Sequence, residues 1–291
     1  MGIKITEGRP STSTHQSIIS SHNGTISDSD FVTITRPTRQ SNILIYGDEG
    51  TGKTSFCVRY APTPIVVINF DGRADEVVYE AVQSGRDVRI ANLKISHKFL
   101  SPENMKREAS SVVERTVRNF EIAIEESRRG NVRTILIDTA TEYSEILKLA
   151  FDGVLEQTKE GSYGRDKDYI NRQWWRMFNL ARETRSAHLI VTARAKEIWK
   201  KNSDGKQEAT GRFKPACPNA VKAAVDWAAQ IRLQTVFGMP KPKFEIEITK
   251  AGTNIEELCE IYTEEQWDKL GGPFVYGCVL NYKDSIPDDW K

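Results

Sequence analysis

The stretch Tyr46-Gly-Asp-Glu-Gly-Thr-Gly-Lys-Thr-Ser-Phe56 carries the densest chemistry in the chain. Gly47 to Thr54 match the spacing G-x-x-x-x-G-K-[ST] in full. Glycines at this spacing let the backbone curl until its N–H groups face one point, which suits phosphate oxygens. An apolar run, Asn42-Ile43-Leu44-Ile45, precedes the loop and a helix-forming stretch follows it. That is the setting the mechanism needs, because a helix N-terminus adds partial positive charge. The expected cradle is Gly47, Asp48, Glu49, Gly50, Thr51, Gly52, Lys53, Thr54 and Ser55. Lys53 is expected on the β- and γ-phosphates of ATP, and Thr54 on Mg²⁺. ATP and GTP are not separated by the pattern. Asp48 and Glu49 are acids beside a triphosphate, and their side chains are expected to point to solvent, where salt screens them.

Two further carboxylates complete the chemistry. "TILID" ends in Asp138. A carboxylate at the C-terminal end of a parallel strand faces the phosphate crevice, so Asp138 is the second expected metal residue. The alternative is a cap on the next helix. Hydrolysis also needs a group that orients water. Asp71, before Gly72 at the end of "PIVVINFDG", is the first candidate, with Asp75 and Glu76 one turn on. An aspartate before glycine is equally well explained as a turn former.

These residues need a scaffold. "NILIYG", "PIVVINFDG" (64–72), "DVRIANL" (87–93), "VRTILIDT" (132–139) and "HLIVTAR" (188–194) read as five strands. Helices are expected after the phosphate loop and over 102–129, 142–158 and 167–186. In the longest, Val112, Val113, Val117, Phe120 and Ile124 keep roughly helical spacing. Alternation of this kind predicts an α/β fold, a mostly parallel sheet with helices on both faces. "WAAQIRLQTVF" and "PKFEIEITKAG" alternate as two antiparallel strands around Gly238-Met239-Pro240. Residues 1–30 read as a flexible polar tail, "FVTITRP" (31–37) as a short edge strand, 31–260 as the core and 261–291 as a small extension.

The order of "FVTITRP", the phosphate loop, "VVINFDG", "TILIDT", "YGRD" and "HLIVTARAKE" resembles RecA-core P-loop ATPases. The nearest likeness is to the compact phage-type branch that includes single-strand annealing proteins of recombination modules. It covers about residues 31–250, and its specific motifs are the phosphate loop and the Asp138 strand. The resemblance implies a RecA-like P-loop NTPase fold, with helices on both faces of the sheet. It also implies ATP-driven or ATP-switched action on single-stranded DNA. A Glu-Gly pair usually follows the second strand in that family, and Asp71-Gly72 stands here. The resemblance assigns Thr192 and Arg194 to the γ-phosphate sensor strand. It assigns Lys250 to a cation that reaches a neighbouring subunit's ATP site. A homo-oligomeric ring or filament follows, and a single-strand-binding protein is a further partner.

Charge adds a local signal. The chain carries net charge +1, so no global field attracts nucleic acid. Residues 194–214 hold seven basic side chains against three acidic ones, a local net of +4. This stretch is polar without steady periodicity and reads as a long loop or flexible hairpin. Lys196, Trp199, Lys200, Lys201, Lys206 and Arg212 are its expected DNA contacts, with phosphates neutralised by the cations and a base stacked on the ring. Arg165, Lys167 and Arg172 could join them. Trp174 falls on the apolar stripe Ile170, Trp174, Phe178, Ala181 and reads as core, while Trp175 lies off it. Cys57, Cys217, Cys259 and Cys278 form no CxxC, which fits isolated thiols in a cytoplasm and no zinc site. No apolar run approaches the length of a membrane span. A bacterial host cytoplasm is therefore expected if the chain is phage-encoded. Two other functions fit the loop: a P-loop kinase of a small molecule, and a nucleotide-gated adaptor that does not hydrolyse.

Overall fold

The computed structural model describes residues 40–95, 101–158, 165–234, 243–251 and 261–263. All of them belong to one of the chain's two compact units, Thr38–Lys291. The expected tail, the edge strand at 31–37, the turn at 238–240, residues 264–291 and the thiols Cys259 and Cys278 lie outside the described residues.

The elements follow in the order β1 (Asn42–Gly47), α1 (Lys53–Tyr60), β2 (Ile65–Asn69), α2 (Ala74–Gln83), β3 (Val88–Asn92), α3 (Pro102–Arg128), β4 (Thr134–Asp138), α4 (Ala140–Thr158), α5 (Arg165–Thr184), β5 (His188–Lys201), β6 (Gln207–Pro215), α6 (Asn219–Ala224), β7 (Trp227–Gln234), β8 (Lys243–Ala251) and β9 (Ile261–Thr263). The nine described strands form one sheet, ordered β3-β2-β4-β5-β1-β7-β8-β9, with β6 paired to the outer half of β5. From β3 to β7 all neighbours are parallel. Strands β8 and β9 then run antiparallel. The fold is therefore the expected α/β sheet with antiparallel strands toward the C-terminus. One strand, β5, separates the phosphate-loop strand β1 from the Asp138 strand β4.

The apolar runs of β1, β2 and β4 have no polar alternation because both faces are covered. Leu44 and Tyr46 join one core with α3, α4, α5 and α6. Ile43 and Ile45, one residue out of phase, join the other with α1 and α2. The long helix α3 starts on Ser101, whose hydroxyl accepts from Asn104 N, with Pro102 at its first position. It buries Val112, Val113, Phe120 and Ile124 as expected, and Thr116 rather than Val117 on the intervening turn. Thr116 is accommodated by donating to Val112 O at 2.8 Å.

One aromatic stack ties three elements together beneath the site. Tyr143 of α4 stacks on Phe70 at 4.7 Å and meets Trp174 of α5 edge-on at 5.3 Å. Such pairs contribute roughly 0.5–1.5 kcal/mol each beyond area burial. Trp174 is core, as its stripe predicts, and its indole donates to Ser144. The stack fixes the end of β2 against the start of α4, the two places from which Asp71 and Asp138 project.

Candidate nucleotide site and basic hairpin

The phosphate loop is built as its glycines predict. Gly50 (φ 78°) and Gly52 (φ 74°) take the left-handed backbone that side chains disfavour. Gly47 is required for a different reason, because a Cβ there would collide with the Ile231 carbonyl of β7. Helix α1 begins on Gly52 with no side-chain cap, so no side chain satisfies the N–H groups of its first turn. Those are the donors that a phosphate accepts from. Lys53 is buried, and its ammonium donates to Gly47 O (3.1 Å) and Asp48 O (2.6 Å) inside the curl. Burial lowers its pKa, and the charges of Asp138 and Asp48 oppose that shift.

Asp138 sits at the floor, 1% exposed. Thr54 Oγ1 donates to one carboxylate oxygen at 2.7 Å, and Thr192 Oγ1 donates to the other. Burial pushes the Asp138 carboxyl up to about 6, against the lowering effect of the two hydroxyls. The donor set is hard oxygen throughout, which suits Mg²⁺. Among the described residues no group of three His, Cys, Asp or Glu could hold a metal ion. Mg²⁺ in nucleotide sites is held by one or two carboxylates with substrate phosphates, so a single carboxylate beside two hydroxyls fits it.

A cavity of about 260 Å³ is lined by residues that include Glu49, Lys53, Thr54, Asp71, Arg73 and Arg194, and Thr54 joins it to the buried Asp138. Asp71 thus faces the nucleotide cavity, and it is also a turn former: its Oδ1 accepts from Arg73 N at 2.8 Å. The turn contact and a place on the cavity wall thus occur together at this residue. The turn is braced from below, where the buried Asn69 accepts from Gly72 N and donates to Asn92, and Asn92 donates to Asp75. Asp75 is therefore engaged away from the cavity, and neither it nor Glu76 lines it. Asp48 and Glu49 are exposed, as expected. Glu49 is nonetheless ion-paired to Arg73, which holds its carboxyl below the usual range.

Arg73 and Glu142 are the two site residues that the sequence reading missed. Glu142 pairs with Arg194 and accepts from the Thr139 hydroxyl. Burial raises the Glu142 carboxyl, and Arg194 opposes the shift. The Thr139-x-x-Glu142 spacing is a capping box at the start of α4, a signal present in the sequence. Thr141 adds a clamp: its hydroxyl accepts from Arg194 N (3.0 Å) and donates to Ala216 O (2.9 Å). Lys250 lies elsewhere. Its ammonium donates to the carbonyls of Lys222, Ala223 and Val225 and so closes the end of α6. All three of its donors have acceptors within the chain, which is a structural arrangement rather than a projecting cation.

Of the two readings of the stretch after Arg194, a long loop or a flexible hairpin, the structure shows the hairpin, with its two strands paired. Strand β5 continues to Lys201, turns over Asn202–Lys206 and returns as β6. Asn202 Oδ1 holds the turn by accepting from Asp204 N and Lys206 N. Lys196, Trp199, Lys200, Lys201, Lys206 and Arg212 are all exposed on it, Trp199 by 54%. Arg165 and Arg172 are exposed on α5, and Trp175 is half-buried against the core.

A family model for AAA domains matches residues 39–257, from just before β1 to beyond β8. The chain belongs to that AAA domain family. A P-loop ATPase follows at the level of family, and such ATPases generally use ATP with Mg²⁺. Among solved structures, this AAA domain is similar to a KaiC-like protein of the hyperthermophilic archaeon Pyrococcus horikoshii. The two are 15% identical with a TM-score of 0.41, over 77% of this chain and 84% of that one. A search of curated proteins gives no match. Among the described residues of the AAA domain, no helix is long and apolar enough to cross a membrane.

Proposed function

We propose that this AAA domain protein binds and hydrolyses ATP with Mg²⁺ and uses the nucleotide state to control single-stranded DNA on the β5–β6 hairpin. The proposed setting is recombination or annealing of the phage type. One observation carries this reading. Strand β5 carries Thr192 on Asp138 and Arg194 in the cavity, then continues, past a register shift between Glu197 and Trp199, as the first strand of the basic hairpin. A group proposed to sense phosphate and a surface suited to phosphodiesters thus share one strand.

The proposed roles follow the geometry. The loop N–H groups and Lys53 bind the phosphates, while Thr54 and Asp138 would hold Mg²⁺, which would supply positive charge to the phosphates. Asp71 orients the attacking water, and Arg194 responds to the γ-phosphate by leaving Glu142. Assembly into a homo-oligomer belongs to the same proposal, with DNA and nucleotide occupancy linked through it.

A non-hydrolysing adaptor is the second reading, favoured by the engagement of Asp71 with Arg73 N. The ATPase rate with and without single-stranded DNA, across salt concentration, separates the two. Turnover stimulated by DNA and weakened by salt supports the proposal. Tight nucleotide binding without turnover supports the adaptor. Turnover only with a small acceptor would make the protein a kinase and overturn both.

A further inference from the structure

A second cleft, of about 490 Å³, shares no lining residue with the nucleotide cavity. Its walls are α4, the start of α5, the base of the hairpin and the segment into α6. Lys148, Lys167, Lys196, Lys214 and Lys222 converge on it from these elements, and Glu145 is the one carboxylate among its lining residues. That is a local net of +4 in a chain of net +1. Only Lys196 and Lys214 lie in the basic stretch legible in the sequence, and Lys148, Lys167 and Lys222 lie outside it.

Among the described residues, none of the five lysines has a carboxylate partner in an ion pair. The ammonium of Lys222 reaches only Asn219 Oδ1, at 3.4 Å. Lys196 and Lys214 stand directly opposite each other across β5 and β6. Like charges in that position destabilise a strand pair. The fold therefore gathers repelling cations where surface carboxylates would ordinarily relieve them, and an anion is the group that would do so. All five are lysines, which bind as point charges and read no planar geometry. That suits a sugar–phosphate backbone, whose contacts position a strand without reading its bases. The cleft opens at the foot of the hairpin, whose exposed Trp199 offers a ring for stacking.

We propose that this cleft binds the phosphodiester backbone of single-stranded DNA and extends the hairpin surface toward the nucleotide site. The proposal rests on the hairpin reading above and names the path the strand takes from it. Thr141 lines the cleft while its hydroxyl holds Arg194 N, so a bound strand lies one residue from a side chain of the nucleotide cavity.

The test is fluorescence anisotropy of a labelled oligothymidine of about thirty nucleotides, with the full chain and ATP, over a series of salt concentrations. Lys148→Ala with Lys222→Ala is the cleft variant, and Lys200→Ala with Lys201→Ala is the hairpin variant. The cleft variant is expected to bind about tenfold more weakly. Loss of two phosphate contacts should flatten its plot of log affinity against log salt by about 1.4. The corresponding Lys→Arg pair should restore both, and unchanged thermal unfolding will exclude misfolding. Wild-type affinity and slope in the cleft variant, with weakening in the hairpin variant, would overturn the cleft and leave the hairpin standing. No binding of the oligonucleotide by the wild-type chain would overturn both.

Discussion

Asp138 serves two conflicting demands. Metal binding needs its carboxylate ionised, whereas burial favours the protonated form and moves its pKa from 3.8 to about 6. A folded-state value above the unfolded one means that Asp138 favours folding most below pH 3.8. That contribution is lost as pH rises through about 6. At pH 8 the nucleotide-free protein therefore carries a destabilising charge. Asp138→Asn should raise its stability there by about 3 kcal/mol, since a shift of one unit corresponds to about 1.4 kcal/mol. It should also abolish Mg²⁺-dependent turnover. Denaturant melts at pH 8 and pH 4 check the first part, and the gain should vanish at the lower pH. The same titration predicts that Mg²⁺ affinity falls about tenfold per unit below pH 6, because proton and metal compete for one group. Asp71 needs a variant that separates its two roles. Asparagine retains an acceptor for Arg73 N but cannot act as a base. Asp71→Asn should leave nucleotide affinity and stability near wild type and lower kcat by about 10²- to 10⁴-fold. A kcat within a few-fold of wild type would reduce Asp71 to a turn residue.

At the scale of elements, legibility followed burial. Strands β1, β2 and β4 were readable because both faces enter a core, which leaves continuous apolar runs between glycines and aspartates. The outer half of β5 and β6 read only as a long loop or a flexible hairpin, because their residues are exposed or half-buried and none of them enters a fully buried core. Its order comes instead from the ladder between the strands and from Asn202 at the turn. Helix α6 was missed because six residues are too few to establish a period. Its stability is supplied from a distance, by Lys250 on its last carbonyls and Arg182 on Ala224 O. Within the site, the phosphate loop and Asp138 were legible because their chemistry is local in sequence. The Glu49–Arg73 and Glu142–Arg194 pairs were not, because each joins residues from separate elements. The hairpin's attachment gives an element-scale prediction. Thr141→Val removes the hydroxyl that joins α4 to β5 and to the residue just after β6, and leaves Arg194 N and Ala216 O without it. Hydrogen exchange at the base of the hairpin should rise, with a loss of about 1–3 kcal/mol in local protection. Exchange in β2 and β3 should be unaffected.

For the whole molecule, the proposed function asks how nucleotide state would reach the basic surface. The route runs through contacts: Asp138 ends β4, Thr139 follows it, and Thr141 and Glu142 in the first turn of α4 both meet Arg194 of β5. Glu142 holds Arg194 in the absence of any competing anion, and a γ-phosphate is such an anion. Transfer of Arg194 from carboxylate to phosphate would exchange one ion pair for another and move the strand that carries the hairpin. On the proposed function such coupling would be reciprocal, so any factor by which ATP tightened DNA binding would equal the factor by which DNA tightened ATP binding. A factor of about 5 to 150 is the usual range. Arg194→Ala removes the group that changes partners and keeps Lys53, Thr54 and Asp138. Each ligand should then bind without regard to the other, so the ratio of DNA affinities with and without ATP should fall to about 1. Glu142→Gln should act differently. It weakens the hold on Arg194 without removing the arginine, so DNA affinity without ATP should rise toward the ATP-bound value. If Arg194→Ala keeps the wild-type ratio, the signal does not pass through β5, and the nucleotide and the hairpin communicate by contacts between subunits instead.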